Sequence, residues 1–238
     1  EQFNACCKET IAKFEGDWQP IYEKLGRFAD FSNPYKTLDK NFMESVWWAF
    51  KTLYEKNLVY RKYKVSYYSY PLQSPLSNFE VQQGYKTKTT KSVYVKFPVK
   101  NQEKTYFVAW TTTPWTLVAN CALCVNSELE YEYVQSENGE IYIVGMGTAP
   151  NADSKGVQIK KCLGAELVGL EYYRPFNFIT NECGKVVADS FVLTSQGTGT
   201  SIVHLSPAFG EDDNRVCLDS NLITYDTLKD YCPLDENC

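Results

Sequence analysis

Two segments of the chain combine residue types that can do chemistry. The first, Trp110-Thr111-Thr112-Thr113-Pro114-Trp115-Thr116-Leu117, places three consecutive hydroxyls at the end of an apolar run. Pro114 restrains Thr113 to an extended backbone and cannot donate to a ladder, so hydroxyls and freed backbone groups gather at a sheet end. Such a cluster can hold a polar substrate and orient water. Threonine is also a good strand former, and the run by itself reads as a strand that simply stops there. The second segment begins at Gly197-Thr198-Gly199-Thr200-Ser201, passes through the apolar Ile202-Val203-His204-Leu205 and the loop Ser206-Pro207-Ala208-Phe209-Gly210, and ends in Glu211-Asp212-Asp213. Three adjacent carboxylates repel one another, yet a helix start tolerates them because its dipole is positive there. They form either a solvated helix start or a site that holds one carboxylate for an ammonium ion or a metal.

His204 is the only histidine in 238 residues, which excludes HExxH zinc sites and paired-histidine fingers and requires any Ser-His-Asp or Cys-His arrangement to be built around it. No Gly-x-Ser-x-Gly elbow is present. Gly197-Thr198-Gly199-Thr200-Ser201-Ile202 satisfies neither the dinucleotide fingerprint nor the phosphate-binding loop. Cys121-Ala-Leu-Cys124 has redox or zinc-ligand spacing, but no second pair follows, and its apolar setting reads as a buried strand with structural thiols.

These residues need elements to position them. Asp39 can cap a helix running to about Asn57, with Phe42, Val46, Phe50, Leu53 and Tyr54 on one face. Residues 2–14 and 19–26 form weaker helices, interrupted by Gly16, Pro20 and Gly26. From Leu58 the pattern turns to short β-branched and aromatic runs: 59–70, 92–99, 106–112, 122–125, 131–134, 141–144, 186–193 and 201–205. That alternation predicts a barrel or strongly bent sheet, with one helix near 153–160 and another after Pro207 through 215–222. Two regions are expected, a helical segment over 1–60 and a β-rich domain over 61–238.

The formal net charge is −5, against a generally nucleic-acid-coating protein, but its distribution is uneven. From Lys56 to Lys104 the chain carries ten basic and two acidic residues, with tyrosines and phenylalanines between them, a composition able to grip phosphates and stack bases or to form a solvated sheet face. Nine cysteines, an odd number at irregular spacing, and the absence of an Asn-x-Ser/Thr sequon suit a reduced compartment. No apolar run approaches the roughly 20 residues of a bilayer helix, and a soluble protein is expected.

Together the two segments resemble the signature of the editing insertion of isoleucyl-tRNA synthetases, written W-T-T-T-P-W-T-L-P-x-N and G-T-G-x-V-H-x-A-P-x-F-G-x-x-D. Here they are Trp110 to Asn120 and Gly199 to Asp213. Upstream, Gly26-Arg27, Asp30-Phe31, Tyr35 to Leu38, Phe42 to Trp48, Lys56 to Arg61 and Pro75 to Glu80 are similar to the eukaryotic-type cytoplasmic branch. Val118, Ser201, Ser206 and Asn214 depart from the pattern, where proline, glycine, alanine and an aromatic residue are usual. The resemblance implies an α+β, β-barrel-like editing domain with peripheral helices. One histidine cannot supply the H-x-G-H of amino-acid activation, so the chain is expected to lack synthetic activity and to be a piece of a larger enzyme.

By that resemblance the domain hydrolyses the ester of valyl-tRNA made in error on the isoleucine tRNA. A synthetic pocket that accepts isoleucine excludes valine by only about 1–3 kcal/mol per methylene, a limit for which isoleucyl-tRNA synthetase is itself the standard example, so a second sieve must decide. Carried over by position, Asp213 would bind the substrate's α-ammonium. Thr111, Thr112 and Thr113 would hold the ester and ribose and orient water, with a tRNA ribose hydroxyl assisting. Trp110, Thr116 and Asn120 would support that wall, and His204 would border the side-chain pocket and refuse isoleucine. No metal or cofactor is implied. The implied partners are the 3′ end of tRNA(Ile) and the rest of the parent synthetase, with the fragment monomeric and cytoplasmic. The rival readings are an inactive tRNA-binding or interaction module and a redox or zinc module at Cys121 and Cys124.

Overall fold

A computed structural model describes residues 1–148, 156–194 and 199–234. The chain divides into two compact units, Glu1–Arg61 and Lys62–Cys238. Among the described residues no helix is long and apolar enough to cross a membrane.

The first unit contains helices α1 (Gln2–Lys24) and α2 (Lys40–Glu55). The sequence predicted a break at Gly16 and Pro20, but α1 runs through both. Proline at position 20 removes the donor for the Gly16 carbonyl. Gly16 is exposed, so water can take that donor's place and the helix continues on both sides. Asp39 stands at the N-cap of α2 as expected, with an extended backbone, but its side chain makes no capping hydrogen bond. Asn57, at φ 57°, turns the chain after the helix.

In the second unit the expected strand over 59–70 reduces to β1 (Tyr68–Ser69), paired with β2 (Ser74–Pro75) in a short ribbon. Proline at both 71 and 75 leaves little backbone able to extend that ladder. Helix α3 (Asn78–Gln83) follows from a Ser77–Glu80 capping box. A five-stranded sheet then has the order β3 (Val93–Pro98), β4 (Thr105–Thr111), β7 (Ile141–Gly145), β6 (Glu130–Gln135), β8 (Val157–Leu163). Where a helix was predicted near 153–160, residues 157–160 belong to β8, and 153–155 lie outside the described residues. Among the described residues β8 pairs with β6 alone, and Lys160 and Lys161 on it are the kind of residues that blunt a sheet edge.

The second sheet has the order β11 (Val203–Leu205), β5 (Ala122–Val125), β10 (Gly184–Ala188), β9 (Glu171–Tyr172). β10 stops short of the predicted Leu193 because Asp189 accepts a hydrogen bond from the Phe191 N–H and turns the chain. The predicted strand over 201–205 begins only at Val203, since Ser201 takes a left-handed φ of 52°. The sheets do not close into a barrel among the described residues. They join at a corner where Val99, beyond β3, bridges Tyr172 of β9, and the Gly145 N–H at the end of β7 donates to the Thr200 carbonyl (2.8 Å).

β5 explains the layering. Leu123 and Val125 enter a core shared by both sheets, with Phe97, Phe107, Tyr131, Ile143 and Tyr172. Ala122 and Cys124 point to the opposite face, where they pack with Val216 and Cys217 of helix α5 (Glu211–Asp219). The period of two thus buries β5 on both faces, matching the buried-strand reading of Cys121 to Val125. A short helix α4 (Gly164–Leu167) lies between β8 and β9.

Candidate active site

The polar end of β4 is built locally. After Trp110 and Thr111 the strand ends, and a 3₁₀ turn begins at Pro114 and runs to Ala119. The Thr111 hydroxyl oxygen accepts from the Thr113 N–H (3.0 Å) and lies 3.2 Å from the Thr113 hydroxyl. The Thr113 carbonyl accepts from both the Thr116 N–H (3.1 Å) and the Thr116 hydroxyl (2.9 Å), which starts the turn.

β11 brings the second segment alongside. His204 pairs with Leu123 across the sheet, so its ring is carried by an edge strand on a doubly buried neighbour. The loop after Leu205 folds back: the Phe209 N–H donates to the Ser206 carbonyl (3.0 Å), and Gly210 caps α5. Asp213, third residue of that helix, accepts a hydrogen bond from the Ser206 N–H (2.8 Å). Gly210 makes this possible, because a Cβ there would lie 2.7 Å from the Asp213 Cγ. The departures Ser206 and Asn214 are both used, as the Ser206 hydroxyl donates to the Ala119 carbonyl (3.3 Å) and the Asn214 amide to the Pro207 carbonyl (3.1 Å).

One cavity of about 380 Å³ joins the two segments, lined by Trp110, Thr111, Thr113, Trp115, Thr116, Val203, His204, Phe209, Gly210 and Asp213. That volume falls in the range for small ligands. Of the residues singled out in the sequence, Thr112 is exposed and is not among those lining it. Asn120 is buried behind His204. Val203, Phe209, Gly210 and the 64% exposed Trp115 line the cavity without having been singled out. Trp115 stands inside the threonine motif, and that position was the available signal.

The electrostatics are set by burial. Burial pushes the Asp213 carboxyl up to about 6, against the Ser206 N–H that favours its charged form, and neighbouring Asp212 pushes it further up. Arg215, two residues along, turns its guanidinium to Asp189 (2.8 and 3.1 Å) and Asp212 (3.4 Å) rather than to Asp213. A cation entering the cavity would therefore meet a carboxylate with unspent charge. Burial also pulls His204 down to about 4, so its ring is neutral at pH 7. Its Nδ1 is 2.8 Å from the Asn120 amide nitrogen and its Nε2 3.1 Å from the Thr116 hydroxyl. With both nitrogens engaged, the imidazole offers the cavity a wall rather than a base.

Cys121 and Cys124 are buried, and burial pushes the Cys124 thiol up to about 12. Among the described residues no three His, Cys, Asp or Glu side chains are grouped to hold a metal. In the basic aromatic stretch, Lys96 pairs with Glu140 and Lys100 with Glu171, both at 2.6 Å, so part of its charge is spent on ion pairs within the fold.

The sequence model of the tRNA synthetases class I (I, L, M and V) matches residues 1–198. The chain belongs to this family. It is 42% identical to the cytoplasmic isoleucine--tRNA ligase of Saccharomyces cerevisiae, over 96% of this chain and 22% of that protein. To the cytoplasmic isoleucine--tRNA ligase of Mus musculus it is 41% identical, over 98% of this chain and 19% of that one. This class I synthetase chain thus spans about a fifth of the length of these curated relatives. A crystal structure of the P. knowlesi cytosolic leucyl-tRNA synthetase editing domain aligns with a TM-score of 0.45 at 14% identity, covering 61% of this chain and 71% of that one.

Proposed function

We propose that this chain is the post-transfer editing domain of an isoleucyl-tRNA synthetase, an aminoacyl-tRNA deacylase that hydrolyses the ester of valyl-tRNA(Ile). The observation that carries this reading is the meeting of the Thr111 and Thr113 hydroxyls, the Asp213 carboxylate and the neutral His204 ring around one cavity. Asp213 anchors the α-ammonium through a charge-assisted bond, a class of contact worth about 1.5–3 kcal/mol. Thr111 and Thr113 face the ester and orient a water. The water oxygen attacks the carbonyl carbon, the bond from that carbon to the ribose oxygen breaks, and the ribose oxygen takes up the proton that the water gives up. A cavity of about 380 Å³ is far larger than a methylene, so its total volume cannot reject isoleucine. Discrimination belongs to a local, rigid wall, and His204 supplies it.

The partners are the 3′ end of tRNA(Ile), approached by what remains uncompensated of the basic stretch from Lys56 to Lys104, and the rest of a parent synthetase. The fragment is monomeric and works in the cytoplasm, the compartment that the names of its yeast and mouse relatives state. The test is deacylation of valyl- and isoleucyl-tRNA(Ile) by the chain and by a synthetase rebuilt around it. The expected result is loss of the valyl ester and survival of the isoleucyl ester. Asp213→Ala abolishes the reaction, and His204→Ala begins to release isoleucine. Binding of valyl-tRNA by both forms with the ester left intact would make the domain an inactive tRNA-binding module.

A further inference from the structure

Tyr172 lies outside the cavity and outside both sequence segments, yet it begins a hydrogen-bond chain that ends at the cavity wall. Its side chain is fully buried on β9, its ring packs edge-on against Phe97 (5.3 Å between centroids, 84°), and it crosses the backbone of β10 at Gly184, where a Cβ would come within 2.2 Å of the Tyr172 Cζ. This position aims the hydroxyl at Asn120, whose Oδ1 accepts from it at 2.6 Å. The Asn120 amide nitrogen then donates to the Ala122 carbonyl (3.2 Å) and to the His204 Nδ1 (2.8 Å).

The directions of these bonds are fixed by what each group can give. A carbonyl at Ala122 only accepts, so the Asn120 nitrogen must face it, and a flipped amide would set two acceptors against each other. The nitrogen facing His204 is therefore a donor, and Nδ1 must accept. The ring proton then sits on Nε2 and is donated to the Thr116 oxygen, 3.1 Å away, while the Thr116 hydroxyl proton goes to the Thr113 carbonyl (2.9 Å). Every donor in the chain is used, and it runs from a core tyrosine to the backbone of the threonine motif.

We propose that Tyr172 is a positioning residue for amino-acid discrimination: through Asn120 it holds His204 in the Nε2–H tautomer, with neither ring nitrogen available and the ring unable to swing. The role in discrimination rests on the editing reading above, whereas the tautomer does not. A methylene is rejected only if the wall cannot yield, and an imidazole fixed at both nitrogens yields less than one fixed at one.

Because His204 is the only histidine, ¹⁵N-histidine labelling of the whole chain gives a single imidazole spectrum to read. The expected wild-type spectrum has a pyrrole-type Nε2 and a pyridine-type Nδ1 at neutral pH. Tyr172→Phe keeps the ring and removes the hydroxyl. It is expected to mix the tautomers and to lower the valyl-over-isoleucyl ratio of kcat/KM about three- to tenfold, the range for one lost buried hydrogen bond. Asn120→Asp, nearly isosteric, covers the case in which the tyrosine variant fails to fold. A carboxylate at Nδ1 should draw the proton there, invert the tautomer and raise the pH at which the ring titrates. A wild-type Nδ1–H ring, or a Tyr172→Phe protein with unchanged spectrum and unchanged ratio, overturns the proposal. A changed spectrum with an unchanged ratio also overturns it. If wild type hydrolyses neither ester while the spectra behave as expected, the editing reading and with it the role in discrimination fall, and the assignment of the tautomer stands.

Discussion

Asp213 carries a conflict between stability and function that can be measured. Its carboxyl titrates at about 6 in the folded chain instead of the ordinary 3.8, chiefly because burial disfavours the charge. Between those two pH values the folded state keeps a proton that the unfolded state has released, so stability falls as pH rises through that window and stays reduced above it. The full displacement corresponds to a ceiling of ~3 kcal/mol at pH 7. The residue is only half-buried, and its place in the first turn of α5 returns part of the cost through the helix dipole. The net penalty is therefore set at about 1–2 kcal/mol. Asp213→Asn removes it, because the amide oxygen can still accept from the Ser206 N–H. The two units make a whole-chain melt hard to interpret, so the measurement is amide exchange at Leu123 and Cys124 in β5, at the centre of the second unit. The variant should be more protected by about 1–2 kcal/mol at pH 7.5 and indistinguishable from wild type at pH 4. An advantage that does not vary with pH, or a variant less stable at pH 7.5, would refute the argument that the ionised carboxylate is held at a cost.

The same carboxylate sets a pH profile: kcat/KM for a valyl ester should fall with a single protonation as pH drops through about 6 in the free domain, and a flat profile from pH 5 to 8 would remove Asp213 from substrate binding. Gly210→Ala places its Cβ 2.7 Å from the Asp213 Cγ while Gly210 has an ordinary extended backbone at φ −129°, so KM should rise several-fold with little loss of stability; an unchanged KM would show that the carboxylate need not sit there. Ser201 holds a left-handed φ of 52°, which glycine adopts without strain, so Ser201→Gly should stabilise the second unit by about 0.5–1 kcal/mol in the same exchange experiment. A destabilised variant would show that the serine side chain contributes more than the strain costs.

Residue types and local spacing made much of this legible. The strand over Ala122–Val125 was read to the residue, because an unbroken apolar run between polar flanks is what a strand buried on both faces requires. The helix beginning after Asp39 was equally plain from its repeating apolar face. Errors came where local preference met a condition set elsewhere. Pro20 and Gly16 break helices on average, but exposure lets water complete α1. Residues 59–70 have strand composition, yet only Tyr68 and Ser69 join a named strand among the described residues. Val157 to Lys160 gained their strand from β6, a partner that no local window contains.

The sequence by itself determined the chemical inventory: one imidazole, a proline-stopped threonine run and an acidic helix start, and with them the classes of catalysis that could not apply. Tertiary structure decided which of these meet. It set Asp213 and Thr113 around one cavity, left Thr112 outside it, and put Asn120 behind the ring. It alone brought Tyr172 to Asn120, behind that ring. Hydrogen bonds and burial depend on distance in space, and in a sheet of mixed strand order the neighbours across the ladder come from remote parts of the chain.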